Sequence, residues 1–380
     1  MNTRRFGLVK DIVLLNAGRS SPFRMTLMVS EECPLRCRTC GIWRAADPRA
    51  PSLEEIERLF RSNRRLSWVN LTGGEVFLRP DVGEIFEIAL AALPRLALLN
   101  IPTAGQDPER IAADVERGLA AGLPRLVVTV SFDGGRTSHD HMRGRDGAFD
   151  RARESFRALT EIAARSGGRF LLYPGLTLSA DLLALSPAPL EDLARDLDLE
   201  GCSGIHLNIA HTAGHYYRNE SLPALPPQDA ARTINRALKS RNPKCSHYDR
   251  VGKRAFSRSR AVDLVERIYL GGAIRYLKTG RPPLPCKALA GSVFIDAGLN
   301  VYPCTIFDRP VGNLRNSDYS LETLRMGKDW RDARRAIAAG RCPGCWTPCE
   351  ACPAITGNAL SPRGLVTILK TLAEGRGKRE

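Results

Sequence analysis

The chain has 380 residues, and its 56 lysines and arginines against 41 aspartates and glutamates give a formal net charge of +15. This length accommodates a barrel-sized domain together with a smaller one. Eleven cysteines without a secretory leader favour reduced thiols and metal ligation over disulfides, so we expect a cytoplasmic protein. The first apolar stretch, residues 6–15, is interrupted by Lys10 and Asp11, which excludes a signal-peptide core and a membrane span.

Apolar, β-branched runs in the first two thirds of the chain predict six strands that are buried on both faces. These runs are residues 23–30, 68–71, 96–101, 125–130, 170–178 and 204–210. Amphipathic stretches with helical period separate them, and the first begins with Ser52 and Glu55 at capping-box spacing. The later ones are residues 81–93, 108–121, 147–164 and 190–199. Repeated strand–helix units predict an α/β fold with a parallel sheet and right-handed crossovers.

A cysteine motif of the form CxxxCxxC follows the first predicted strand directly. It consists of Cys33, Cys37 and Cys40. A structural zinc site takes four protein ligands, and a cubane iron–sulfur cluster has four irons to ligate. Three thiolates on one short loop therefore leave one iron open to an exogenous ligand, as in a reactive site. The alternatives are a partial zinc knuckle or three unrelated cysteines.

This motif resembles the signature of the radical S-adenosylmethionine (SAM) superfamily. The resemblance implies a [4Fe–4S] cluster on the three cysteines, SAM bound at its open iron, and a 5′-deoxyadenosyl radical that abstracts hydrogen from the substrate. It also implies that the six units form a partial (β/α)6 barrel, with catalytic groups where strands end. Thr39 departs from the family, which often has an aromatic residue just before the third cysteine.

The sequence Gly73-Gly74-Glu75 follows the second predicted strand and looks like the GGE motif of the same family. Two glycines let the backbone approach a ligand closely. A carboxylate at this place is able to hold the SAM ammonium through a charge-assisted hydrogen bond. Most such tripeptides are ordinary turns, but the position at a strand end favours SAM binding.

A polar segment follows the fourth predicted strand and resembles the SAM-binding segment of family members that carry auxiliary clusters. By this resemblance Ser131 contacts the SAM ribose and Arg143 its carboxylate, for which a guanidinium fork is well suited. The alternative is a helix N-terminal turn with a solvated charged face. His139 and His141 have no third ligand nearby, so we expect turn and packing roles for them rather than metal binding.

The segment 211–217 leaves the sixth predicted strand and is expected to line the substrate cavity. We predict that His215 and Tyr216 are catalytic, either quenching a radical or orienting the substrate. Packing without a chemical role is an equal alternative for both residues.

A second set of cysteines lies in the last third of the chain. Cys286 and Cys304 flank a predicted β-hairpin with strands at 292–296 and 300–303. A tandem of two CxxC units follows, formed by Cys342, Cys345, Cys349 and Cys352. Alone, such a tandem is a zinc signature. Together with the hairpin it resembles the SPASM/twitch auxiliary-cluster domains of radical SAM enzymes, although a full SPASM domain has seven or more cysteines.

The resemblance implies at least one auxiliary [4Fe–4S] cluster, on Cys286, Cys304, Cys342 and Cys345. Cys349 and Cys352 belong either to an exchanged ligand set or to a second, incompletely ligated cluster. By analogy with the family, an auxiliary cluster favours net oxidation of the substrate. Cys202 and Cys245 stand alone and are expected to be packing or exposed thiols.

The domain organisation predicted from these patterns has five parts. They are an N-terminal segment 1–22, a radical SAM partial barrel 23–235, a basic helical linker 236–285, a small SPASM/twitch-like auxiliary domain 286–360 and a basic tail 361–380. Basic residues between 239 and 260 indicate either an anionic substrate or a solvated face between domains. The tail from residue 364 is basic and amphipathic, which fits either peripheral membrane contact or a cap on the domain.

We therefore predict a radical SAM, oxidoreductase-type enzyme that acts on a small-molecule or lipid-linked, anionic substrate. An electron donor such as flavodoxin or ferredoxin is expected as a partner. The alternative is a maturase for a ribosomal peptide or protein. The short segment before Cys33 leaves no room for a leader-binding winged helix, which disfavours this alternative unless a separate protein supplies that module. A zinc-dependent nucleic-acid-binding protein is a remote third reading, so no nucleic-acid partner is expected.

Overall fold

The computed structural model describes residues 3–199, 204–239 and 260–374. In this part of the chain nine strands form one sheet, in the order β6-β5-β4-β3-β2-β1-β7-β8-β9. They are β1 (Arg24–Ser30), β2 (Trp68–Gly73), β3 (Leu98–Thr103), β4 (Leu126–Phe132), β5 (Phe170–Leu178), β6 (His206–Ile209), β7 (Ser292–Ile295), β8 (Asn300–Tyr302) and β9 (Gly312–Asn313).

The helices of the described residues lie before, between and after these strands. In the first half they are α1 (Thr3–Asn16), α2 (Leu53–Ser62), α3 (Val82–Ala92), α4 (Pro108–Ala120), α5 (Arg136–Arg143), α6 (Ala148–Arg165), α7 (Ala180–Leu185) and α8 (Pro189–Asp196). The later ones are α9 (Pro227–Lys239), α10 (Arg260–Thr279), α11 (Leu321–Arg325), α12 (Lys328–Ala338), α13 (Pro348–Asn358) and α14 (Pro362–Glu374). No helix among the described residues is long and apolar enough to cross a membrane.

The first six strands pair in parallel, each with its neighbour in chain order. This arrangement confirms the predicted α/β partial barrel of six strand–helix units, and the strands differ from the predicted runs only at their ends. Every residue of β1 is buried, as expected for a strand covered on both faces. Ser52 caps α2 with Glu55 in a complete capping box, as its spacing predicted.

The C-terminal hairpin extends the sheet of the barrel. Strand β7 pairs in parallel with β1, with Arg24 opposite Ser292 and Leu27 opposite Ile295. Strands β7 and β8 form the predicted antiparallel hairpin. The Asp296 carboxylate closes its turn, accepting hydrogen bonds from the Asn300 amide and side chain, each at 2.8 Å. The barrel and the hairpin that carries the later cysteines are therefore joined by backbone hydrogen bonds.

Helix α1 is an element that the sequence pattern did not predict. Its Asp11, which interrupts the apolar stretch, is buried and accepts hydrogen bonds from Ser67 Oγ at 2.9 Å and Arg95 Nη2 at 2.7 Å. The charge that breaks the pattern is thus neutralised inside the fold. Cys202, Cys245, most of the basic stretch between 239 and 260 and the end of the tail lie outside the described residues.

Candidate active site

The loop after β1 carries the first cysteine motif at the carboxyl end of the strand. Cys33, Cys37 and Cys40 are partly exposed and form no disulfide. The Arg36 amide donates to the Arg143 carbonyl at 3.0 Å, which fastens this cluster loop to the end of α5. Groups at the carboxyl ends of parallel strands face the edge where active sites form in barrels. The predicted cluster loop therefore lies where a ligand has access to it.

A second segment, residues 211–219 after β6, holds the other side of the cluster loop. The Gly41 amide donates to the Tyr217 carbonyl at 2.7 Å. Asn219 Nδ2 donates to the Thr39 carbonyl at 2.9 Å, while its amide oxygen accepts from a backbone amide of its own segment. Asn219 is buried, and no motif in the sequence marks it. It is a positioning residue that sequence reasoning missed.

The two glycines of the GGE motif approach the backbone of the cluster loop. A Cβ atom would lie 2.1 Å from the Ser30 carbonyl oxygen at Gly73, and 2.0 Å from the Glu32 carbonyl oxygen at Gly74. The Gly74 amide donates to the Ser30 carbonyl at 2.9 Å, and the Glu75 amide to the Glu32 carbonyl at 2.7 Å. Only glycine permits this approach. Contact of the motif with SAM stays a prediction.

The Glu75 carboxylate is buried and bound by donors of the protein itself. Its Oε1 atom accepts from Thr103 Oγ1 at 2.8 Å and from the Phe77 amide at 3.2 Å, and its Oε2 atom from the Ala104 amide at 2.6 Å. Burial raises the pKa of Glu75, and these hydrogen bonds oppose the rise. Because an ionised carboxylate has about four acceptor positions, little capacity is left for the predicted bond to an ammonium.

Arg143 connects α5 with the cluster loop. Its Nε atom lies 2.7 Å from Asp133 Oδ2, and its Nη1 atom donates to Cys37 Sγ at 3.7 Å. The ion pair is shielded, with the two side chains 13% and 5% exposed. Ser131, the other residue of the predicted SAM-binding segment, lies near the end of β4 and is partly buried. The structure thus places Arg143 beside the cluster loop, and its contact with a SAM carboxylate stays a prediction.

His139 is a packing residue in this structure. Its ring is fully buried and lies 5.6 Å from the rings of both Phe132 and Phe149. Its Nδ1 atom accepts a hydrogen bond from the Asp133 amide at 3.1 Å. Burial lowers the pKa of His139 well below its usual value, so the ring is neutral. His141 is exposed on the same helix.

Tyr216 and Tyr217 lie inside the barrel next to the cluster loop. The Tyr216 hydroxyl and Thr72 Oγ1 are 2.7 Å apart, which ties the tyrosine to β2. Burial raises the pKa of Tyr216, and the bond to Thr72 opposes the rise. Tyr217 packs against the apolar cluster that includes Tyr216, and also against a second apolar cluster built around Cys304. It therefore lies between the two cysteine regions.

His215 contacts the C-terminal hairpin. Its Nε2 atom is 3.1 Å from the Cys304 carbonyl oxygen, and its ring stacks on Tyr302 at 4.5 Å. Its Nδ1 atom lies 3.9 Å from Asp308 Oδ1, too far for a hydrogen bond. Burial lowers the pKa of His215, so the neutral form prevails at neutral pH. The two predicted catalytic residues thus share a contact with Phe294 of the hairpin, and Tyr216 also bonds to the barrel through Thr72.

The second cysteine set combines the hairpin with the segment after α12. Cys304 is buried and shares a hydrogen bond with Cys345, which raises the pKa of Cys304 and lowers that of Cys345. Burial raises the pKa of Cys286 well above its usual value, and the neighbouring Glu350, Cys345 and Cys342 raise it further. The four cysteines of the predicted auxiliary site are therefore neighbours in space.

Cys349 and Cys352 occupy the first turn and the second turn of α13. The Arg24 guanidinium donates to the Cys349 carbonyl. Glu350 between them is buried, and burial raises its pKa to about 8 although Ser292 Oγ donates to its Oε2 atom at 2.8 Å. This pair thus lies against the amino-terminal ends of β1 and β7.

The chemistry of the donors in the cluster loop fits an iron–sulfur cluster. Burial raises the pKa of Cys33 to about 12 and that of Cys40 to about 11, so both thiols are protonated without metal and cluster binding must displace the protons. Soft thiolates suit iron–sulfur clusters, in which each cysteine binds its own iron. Across the described residues, no three His, Cys, Asp or Glu side chains converge on a point where a single metal ion would sit.

Comparison with known proteins identifies the domain that carries the cluster loop. Residues 27–186 match the model of the Radical SAM superfamily. A GTP 3′,8-cyclase of Stenotrophomonas maltophilia (strain K279a) is 37% identical over 110 residues, which is 27% of this chain and 33% of that protein. The antilisterial bacteriocin subtilosin biosynthesis protein AlbA of Bacillus subtilis (strain 168) is 24% identical over 147 residues, which is 37% of this chain and 31% of that protein. The match spans about a third of each of these curated relatives.

Among solved structures, the chain resembles anSMEcpe with bound AdoMet and a Kp18Cys peptide. The TM-score is 0.55 at 16% sequence identity, and the alignment covers 83% of each chain. Because the alignment covers far more than residues 27–186, the likeness in fold extends beyond the matched domain.

Proposed function

We propose that this protein, whose residues 27–186 match the Radical SAM superfamily model, is a radical SAM iron–sulfur enzyme that modifies a peptide or protein. When bound at Cys33, Cys37 and Cys40, a [4Fe–4S] cluster supplies the electron that cleaves SAM, and SAM supplies the hydrogen-abstracting radical. The observation that carries the proposal is the cluster loop itself. It holds three partly exposed cysteines at the carboxyl end of β1, with Arg143 beside Cys37.

Two of the comparisons support a peptide substrate. One relative is named as a bacteriocin biosynthesis protein, and the similar solved structure holds a peptide together with AdoMet. The small-molecule or lipid-linked substrate predicted from the sequence has less support, although one relative is a GTP cyclase. We therefore favour the maturase alternative over that first prediction.

The protein's own residues have separate roles in this proposal. Arg143 is held by Asp133 at 2.7 Å, which orients its remaining N–H groups toward a carboxylate bound at the cluster loop. Gly73 and Gly74 keep the loop against the end of β2, and Ser131 contacts the ribose of SAM. Glu75 joins the ends of β2 and β3 through its hydrogen bond with Thr103, so its main contribution is to hold these two strand ends rigidly together.

Tyr216 and His215 are the residues we propose for the substrate side. The Tyr216 hydroxyl is fixed by Thr72, and His215 is fixed by the Cys304 carbonyl. A His215→Ala variant should lower product formation without lowering cluster content. Unchanged turnover would remove His215 from the mechanism and leave it a packing residue on the hairpin.

Cys286, Cys304, Cys342 and Cys345 are the proposed ligands of one auxiliary cluster. Their closeness supports the assignment. Cys304 and Cys345 share a hydrogen bond, and the neighbouring Cys345 and Cys342 raise the pKa of Cys286. We place Cys349 and Cys352 outside this set, near Arg24. The auxiliary cluster would accept an electron when the substrate undergoes net oxidation.

The experiment that tests the substrate class uses reconstituted protein, SAM and a reductant without oxygen. Extract of the host is separated into peptide, lipid and polar small-molecule fractions, and each is added in turn. We expect the peptide fraction to raise 5′-deoxyadenosine formation and to contain a peptide of altered mass. Stimulation by another fraction alone would replace the peptide proposal, and a Cys40→Ala protein controls for adventitious cleavage.

A further inference from the structure

Helix α14 turns its aliphatic side toward solvent. Leu365, Val366 and Leu369 are 49%, 51% and 56% exposed. Gly364, Ile368 and Thr371, by contrast, are on the side that packs inward. A helix on the surface of a globular domain normally buries its large apolar side chains and exposes small or polar ones. Helix α14 buries Ile368 but leaves three large aliphatic side chains exposed, and in the part of the chain that the structure describes nothing covers them.

The exposed apolar face continues at the corner before α14. Leu360 is 65% exposed, and its backbone amide donates to Asn16 Oδ1 at 2.9 Å. Asn16 ends α1, whose Val9 and Val13 are 58% and 48% exposed one turn apart. The end of α1 is therefore tied to the corner between α13 and α14, and exposed aliphatic residues of both helices lie close to this corner in the chain. Scattered exposed leucines are ordinary, whereas a continuous set marks an interaction site.

Basic residues flank this face. Arg363 and Lys370 are exposed at positions seven apart, which places them along one edge of α14. Lys10 is exposed beside Val9 on α1. The one acidic residue of α14 is Glu374, and the sequence after the helix contains Arg376, Lys378, Arg379 and Glu380. Aliphatic residues bordered by cations complement a surface that is apolar beneath and negatively charged at its edge.

A cavity adjoins the basic edge. It has a volume of about 430 Å³ and lies at the start of α14, with Arg363 in a wall that Leu284 and Pro285 continue. The cavity therefore places apolar side chains next to the positive charge of Arg363, as the exposed face of α14 does.

We propose that α14 and the end of α1 form a surface that binds the anionic face of a lipid membrane peripherally. Leu365, Val366 and Leu369 enter the boundary between headgroups and acyl chains, while Arg363 and Lys370 contact lipid phosphates. The helix lies in the plane of the interface, because its 13 residues are too few to span the hydrocarbon core. This inference is independent of the substrate and of the clusters.

The test is co-sedimentation of the full chain with vesicles. Phosphatidylcholine vesicles are compared with vesicles that also contain phosphatidylglycerol, at low and at high salt. We expect binding only to the anionic vesicles, weakened by salt, and a loss of about tenfold or more in Leu369→Glu. Met326→Glu is the matched control, because Met326 is 68% exposed but lies on another part of the surface. An Arg363→Gln/Lys370→Gln protein tests the charges without touching the aliphatic side chains.

Three results would overturn the proposal. The first is no binding to anionic vesicles by folded protein at low salt. The second is an equal loss of binding in Met326→Glu, which would show that the site is elsewhere. The third is a dimer in light scattering that Leu369→Glu converts to a monomer, without vesicle binding, because the face would then join two copies of the chain. Circular dichroism of each variant establishes that a loss of binding does not reflect unfolding.

Discussion

The two cysteine regions are assembled in different ways. Cys33, Cys37 and Cys40 occupy one short loop that backbone hydrogen bonds fasten to α5 and to the segment after β6. The four cysteines of the proposed auxiliary site come from three separate stretches, which precede β7, follow β8 and follow α12, and the pairing of β7 with β8 brings the first two stretches together. The first region is thus preformed by the barrel, whereas the second depends on the extension of the sheet.

The groups beside the sulfur atoms differ as well. A guanidinium, that of Arg143, donates to Cys37 Sγ. Backbone amides donate to sulfur atoms in both regions, from Leu35 to Cys33 and from Ile42 to Cys40 in the cluster loop. In the second set they donate from Ala288 to Cys286 Sγ at 3.4 Å and from Phe307 to Cys304 Sγ at 3.3 Å. A cation beside partly exposed thiols suits a site that admits an anionic ligand, while the burial of Cys304 suits a site closed by the protein. We therefore expect SAM at the cluster loop and internal electron transfer at the second set of cysteines.

The largest effect is expected from Cys37→Ala. The protein should lose about four iron atoms per chain and form no 5′-deoxyadenosine, because the remaining two thiols of the loop cannot hold the cluster. Iron and sulfide assays with product analysis measure both quantities. A variant that keeps its full iron content and still cleaves SAM would show that the cluster loop is not the catalytic one.

Cys304→Ala should separate the two regions. We expect a loss of about four iron atoms while a SAM-responsive electron paramagnetic resonance signal of the remaining cluster persists. Product formation should fall, because the auxiliary site no longer accepts an electron. If the SAM-responsive signal disappears together with the iron, the two regions are one site and the comparison fails.

Asp133→Ala should destabilise the fold around the cluster loop by about 3–5 kcal/mol, because Arg143 is left buried without its partner. The matched control is Asp181→Ala. Asp181 Oδ2 lies 3.5 Å from Nε of Arg38, whose side chain is 50% exposed. That exposed pair should contribute about 0–1 kcal/mol. Chemical denaturation of both variants measures the difference, and equal losses would refute a shielded ion pair at Arg143.

Gly74→Ala should cost about 1–3 kcal/mol, because the added Cβ meets the Glu32 carbonyl oxygen at 2.0 Å. Cluster content of the loop should fall with it. Gly7→Ala serves as the control, since its Cβ finds only an ordinary contact with the Arg95 side chain at 3.4 Å. Thermal unfolding compares the two, and a neutral Gly74→Ala would contradict the close approach of the motif to the loop.

The smallest effect is expected from Tyr216→Phe, at about 1 kcal/mol, because it leaves the Thr72 hydroxyl without its partner. The Thr72→Val/Tyr216→Phe double variant should recover part of that loss. Unfolding free energies of the four proteins in this cycle give the coupling directly. Additive losses would show that the two hydroxyls do not interact.

Local patterns in the sequence predicted much of this structure. The period of the apolar residues gave the six parallel strands, and the spacing of Ser52 and Glu55 gave the cap of α2. Spacing within eight residues also predicted the cluster loop. Contacts between residues far apart in the chain could not be predicted from such local patterns. The pairing of β7 with β1, the bond from Asn219 to Thr39 and the burial of Asp11 each join residues far apart in the chain, and no local period records them.

The most direct test of the account is 5′-deoxyadenosine formation by the reconstituted protein with SAM and a reductant, without oxygen. Iron and sulfide are assayed in the same sample, and Cys40→Ala is carried in parallel. We predict 5′-deoxyadenosine from the unaltered protein and none from Cys40→Ala. No product from protein with its iron and sulfide confirmed, or equal product from both proteins, would contradict the assignment of the cluster loop as a radical SAM site.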